Sequence, residues 1–137
     1  MNFAFLDGLS VMGTFQNYCS EAETFALTHF DISITVARKA MEYMVKLLYG
    51  SAINTSIAGL TTYDMLSDYD FIRYINDRDL LDAFHLIRKK GNQAVHQGNM
   101  TAQDAMLVLE KLHHLAGETA VFLGLIETYP VFDAALI

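Results

Sequence analysis

One cysteine, Cys19, and one proline, Pro130, occur among the 137 residues, and basic side chains are scarce, nine Lys and Arg against sixteen Asp and Glu. A lone cysteine excludes an internal disulfide and any thiolate metal cluster, and it suits a reducing compartment. Cys19 itself reads as a small buried hydrophobe. With a formal charge of −7 and a pI near 5.0, the chain as a whole repels nucleic-acid phosphate, so any role with nucleic acid must be local. No apolar run approaches the roughly 18 residues needed to cross a bilayer. The opening MNFAFLDG has no basic n-region and does not read as a secretory signal, which makes the cytoplasm the expected compartment. No repeat, low-complexity tract or Gly/Ser-rich linker divides the sequence, and one domain over residues 1–127 is expected, followed by a tail or the start of a linker over 128–137.

What is abundant is apolar: 53% of residues are hydrophobic and the mean hydropathy is +0.24, high for a domain of this size, so some of that surface is expected to face a partner. The apolar residues recur with a helical period. Val11, Phe15, Tyr18, Ala22 and Phe25 predict a helix over 10–28. Asp31 is a candidate N-cap for a second, whose stripe Ile32, Val36, Ala40, Met44 and Leu48 ends at Gly50, a natural C′ residue. Residues 51–76 read as loop-rich, with one short helix at 62–67 capped by Thr61 or Thr62. Asp79 and Asp82 open a further helix whose far end carries Arg88, Lys89 and Lys90, which matches the helix dipole. Gly91 is expected to end or bend that helix, with Asn92 capping the next. Thr101 and Asp104 look like the cap of a last helix running to about Glu127. Strand alternation is sustained nowhere, so the fold class is all-α, a bundle of about four to five helices.

The stretch LIRKKGNQAVH at Leu86–His96, with the earlier AR-K-A-ME-Y pattern at Ala37–Tyr43, resembles a helical bacterial domain of the HEPN superfamily. The opening NFAFL and the phrase IRKKGNQAVH are similar in particular to the domain that begins type I restriction R subunits. Arg88, Asn92 and His96 are the candidate site residues. In active HEPN ribonucleases an arginine and a nearby histidine cleave RNA without metal in a cleft between two protomers. Histidine suits the proton transfer there, and the guanidinium fork suits the phosphate. In this sequence seven residues separate Arg88 from His96, a longer gap than the active enzymes have. The structural alternative is that Gly91 makes a left-handed turn, Asn92 caps a helix and His96 bonds a backbone carbonyl or packs between helices. His85 could join a polar cluster near Arg88, whereas His113 and His114, being adjacent, point apart on a helix and make poor joint ligands.

The resemblance implies a non-catalytic module at the head of an R subunit, acting in DNA restriction and phage defence. Its partners would be the remainder of that subunit and the restriction complex, with DNA met only through the complex, and no membrane. No cofactor is expected for this domain; ATP and magnesium would serve only downstream parts of the parent enzyme. The alternatives are a stand-alone metal-independent ribonuclease or toxin acting as a homodimer, and an interaction module paired with a nucleotidyltransferase. The apolar ending Val131–Ile137 is expected to be buried against a following region, or in a symmetric dimer.

Overall fold

Apolar side chains at steps of three and four residues dictate helices, and the computed structural model, which describes all of Met1–Ile137, contains six of them and no strand. They are α1 (Gly13–Phe25), α2 (Phe30–Ala52), α3 (Thr62–Ser67), α4 (Tyr69–Ile75), α5 (Arg78–His96) and α6 (Ala102–Phe122), with short 3-10 turns at Ala4–Leu6, Ser10–Met12 and Ala134–Leu136. The all-α bundle expected from the sequence is therefore observed, with one short helix more. None of its helices is long and apolar enough to cross a membrane.

Helix α2 is the central element and packs against α1, α5 and α6. It can do so because its apolar arc is wide: beside the stripe Ile34, Ala37, Met41, Val45 and Leu48, the residues Val36, Ala40 and Met44 also lie in one buried cluster of 31 residues. That cluster also takes Phe15 and Cys19 from α1, Phe84 and Ile87 from α5, and Leu109, Leu112 and Ala116 from α6. Cys19 is wholly buried, and burial pushes its thiol pKa well up, so it packs as a hydrophobe. Phe3 and Leu6 close one end of the bundle and are fully buried.

Caps formed by neighbouring residues follow the sequence. Thr61 with Asp64 and Thr101 with Asp104 each form a reciprocal capping box, and Asp77 caps α5 through Leu80 N–H at 3.1 Å. Four expectations are corrected. Gly50 does not end α2, which continues to Ala52. Asp31 is not an N-cap; it lies in the first turn, and its Oδ1 accepts the Met100 N–H at 3.0 Å, tying the start of α2 to the α5–α6 loop. Within the stretch read as loop, Asp68 caps the additional helix α4 by accepting from Asp70 and Phe71. Helix α6 stops at Phe122 rather than near Glu127, because Gly124 adopts φ 72° and the Leu125 N–H turns back onto Ala120 O at 2.9 Å.

The segment after α6 folds back over that helix. Pro130 crosses at Gly117, where a Cβ would meet its ring carbons at 2.9–3.0 Å, and Phe132 packs onto the core. Val131 stands out into solvent, 87% exposed, and Asp133–Leu136 are exposed as well.

Candidate functional site

The crossing of α2 and α5 is set by Gly91. Helix α5 runs unbroken through it, and a methyl at this position would stand 2.6 Å from Cβ of Arg38 on α2. The glycine therefore neither ends the helix nor makes a left-handed turn: it lets the Arg38 side chain lie across α5 at a distance no other residue permits. Arg38 then reaches the adjacent residue, its Nη1 donating to Oδ1 of Asn92 at 3.0 Å. Asn92 thus caps no helix; it sits within α5 and orients a guanidinium. The Arg38 Nε lies 3.4 Å from Glu42 Oε1, an ion pair not aligned as a hydrogen bond. The other Glu42 oxygen accepts from Thr62 Oγ1 at 3.2 Å.

Arg88 lies one turn before Asn92 on the same face of α5. Its guanidinium sits 5.1 Å from the ring centroid of Tyr63 on α3, a cation–π distance, and its Nε is sealed from solvent without an acceptor. Arg38, Glu42, Thr62, Tyr63, Arg88 and Asn92 together line a cleft of about 190 Å³ between α2, the start of α3, and α5. Sequence reasoning named Arg88 and Asn92 but missed Arg38 as their partner. The only signal was the AR at Ala37–Arg38 within the resemblance, and nothing local says that Arg38 meets a residue 54 positions away.

His96 is not brought to this cleft. An unbroken helix carries it about 12 Å beyond Arg88 and rotates it by about 80°. It ends exposed in the last turn of α5, bonding no carbonyl and packed between no helices, where a basic group suits the helix dipole. The basic run Arg88–Lys90 is likewise dispersed: Arg88 turns to α3, Lys89 to solvent, and Lys90 to Asp104 on α6 at 2.9 Å. The Thr101 N–H, and after it that bond, hold the Asp104 pKa down at about 2. His85 borders a different recess, of about 480 Å³, with Asp77, Arg78 and Asp82. Burial, then Arg88 and Lys89, lower its pKa.

A second polar cluster joins the two ends of the chain. Glu23 of α1, 1% exposed, accepts from both the backbone N–H and the Nδ2 of Asn2, at 3.0 and 2.9 Å. Asn2 in turn pairs with the Asp133 backbone, donating to its oxygen at 2.9 Å and accepting from its N–H at 2.8 Å. His113 of α6 is enclosed by Phe3, Phe5 and Phe132, with ring centroids at 5.4–5.5 Å, and its pKa is lowered, chiefly by burial. His113 and His114 part as expected, the first buried and the second exposed. Sequence reasoning did not find this cluster, since its members come from four separate stretches.

No three histidines, cysteines or carboxylates are grouped as a metal ion would need. Compared with known proteins, the chain matches no family model, no curated protein and no solved structure.

Proposed function

We propose that this chain is a helical module of a DNA-restriction system, of the kind that opens type I restriction R subunits, and that it serves phage defence in the cytoplasm through contacts with its parent complex rather than by chemistry of its own. The observation that carries the reading is the use made of the motif residues. The phrases NFAFL, AR-K-A-ME-Y and IRKKGNQAVH supply Phe3 and Leu6, Ala37, Ala40 and Met41, and Ile87, Gly91 and Ala94, all of them buried. Arg38 and Asn92 are bonded to each other, and His96 stands apart from Arg88. A general acid or base must come within hydrogen-bond reach of the reacting phosphate, and within one protomer His96 lies too far from Arg88 for the two to share one.

Two measurements test this. The coding sequence following Ile137 should encode an ATP-driven translocase and a nuclease, and the whole product should co-purify with methyltransferase and specificity subunits. Incubated with single-stranded and structured RNA in a metal chelator, the protein should leave the RNA intact. Metal-free cleavage that disappears in His96→Ala would replace the reading with the homodimeric ribonuclease.

A further inference from the structure

The α2–α5 cleft has hydrogen-bond donors without acceptors to match. Of the two carboxylate oxygens in it, one faces the Arg38 Nε and the other takes the Thr62 hydroxyl. Asn92 Oδ1 is occupied by Arg38. What remains around the recess is the whole Arg88 guanidinium, which bonds no acceptor, the Asn92 Nδ2 amide and the remaining N–H groups of Arg38. Three other arginines can be compared with Arg88. Arg38 has Glu42 and Asn92, whereas Arg73 and Arg78 lack carboxylate partners but are exposed, where water serves them. Arg88 alone is partly withdrawn from water and left without an anion, its guanidinium lying over the Tyr63 ring.

We propose that this cleft binds a phosphomonoester, the terminal phosphate of a small metabolite or nucleotide. Arg88 receives two of its oxygens through the guanidinium fork, and Asn92 Nδ2 with Arg38 holds the third. The local charge sums to +1, with Arg38 and Arg88 against Glu42, which favours a compact dianion. A chain carrying −7 overall, whose neighbouring Lys90 is already paired with Asp104, offers no track for a polyanionic backbone. A recess of about 190 Å³ suits a single phosphoryl group with its ester oxygen rather than a strand. The inference does not depend on the restriction reading, since any parent protein could be controlled by such a ligand.

The probes are inorganic phosphate and AMP, with adenosine as the phosphate-free control and a 5′-hydroxyl single-stranded RNA as the backbone control, measured by calorimetry at low ionic strength. AMP and phosphate should bind saturably and adenosine should not. Arg88→Gln should weaken AMP binding by about tenfold or more, since a charge-assisted fork is lost. Arg73→Gln should leave binding unchanged. Asn92→Asp separates binding from folding: the new carboxylate pairs with Arg38 and does not lower the unfolding midpoint, yet it repels the anion, so affinity should fall as in Arg88→Gln. Absence of saturable phosphate or AMP binding, equal binding by Arg88→Gln or Asn92→Asp, or equal affinity for adenosine would each overturn the proposal. Tighter binding of the RNA than of AMP, dependent on Arg88, would overturn it in favour of a nucleic-acid backbone site.

Discussion

The two polar clusters of this bundle are built from similar groups and end in opposite states. Around Asn2, Glu23 and His113 the cluster is closed to solvent: Asn2 is bonded on both sides, to Glu23 and to the Asp133 backbone, three phenylalanines cover the histidine, and residues 131 positions apart are joined. Around Arg38, Arg88 and Asn92 the ring is open, with donors left over beside a recess that solvent reaches. An enclosed polar cluster serves the fold: Glu23 Oε1 and His113 Nε2 are buried without a hydrogen-bond partner, yet Glu23 Oε2 takes both Asn2 donors, and removing it orphans them. An open one is free to take a ligand, and its residues carry less of the stability.

The comparison breaks most readily at Glu23. Glu23→Ala removes buried atoms and orphans two Asn2 donors, so a loss of about 3 kcal/mol is expected from urea unfolding. A loss below about 1 kcal/mol would show that the closed cluster does not hold the chain ends. Gly91→Ala comes next. In an ordinary helix this change gains about 1 kcal/mol. Here the methyl meets Cβ of Arg38, an atom fixed to the backbone of α2, so α2 and α5 must part. Overpacking of that kind costs about 1–3 kcal/mol and outweighs the propensity gain. A more stable Gly91→Ala variant would contradict the close crossing.

The third prediction concerns pH. Burial lowers the His113 pKa, the nearby Asn2 carbonyl and Glu23 raise it, and His114 lowers it again. The folded value lies below the unfolded one, so the folded state binds fewer protons in between. Stability is complete above the unfolded pKa, near 6.5, and is lost as pH falls from there towards the folded value. His113→Phe, placed among phenylalanines, should reduce that dependence, leaving the part of the same sign due to His85. An unaltered slope would place the titration elsewhere. The smallest effect is expected at His96. It is exposed and bonded to nothing, so His96→Ala should change stability by no more than about 0.5 kcal/mol.

The parts of this fold legible in the sequence are those set within a few residues. Thr101 and Asp104 meet because they are three positions apart at a helix start, and the stripes of α2 and α6 follow from the helical period. Gly91 was not legible, since a helical glycine serves equally as a stop or as a point of close approach, and only α2 decides between them. Helix α4 was missed because seven residues with mixed Tyr, Asp and Arg show little periodicity, and its cap, Asp68, also reads as a turn residue. Of the candidate site, Arg88 and Asn92 were visible through the motif. Arg38 and Tyr63 join them only through tertiary packing, and His96 leaves them because the helix does not bend.

The contrast between an open and a closed cluster is tested most directly by following the backbone amide resonances of the protein while AMP is added. The account predicts shifts confined to Thr62, Tyr63, Arg88, Asn92 and their neighbours, with Asn2, Glu23 and His113 unmoved. Shifts centred on the Asn2–His113 cluster, or none at saturating AMP, would contradict it.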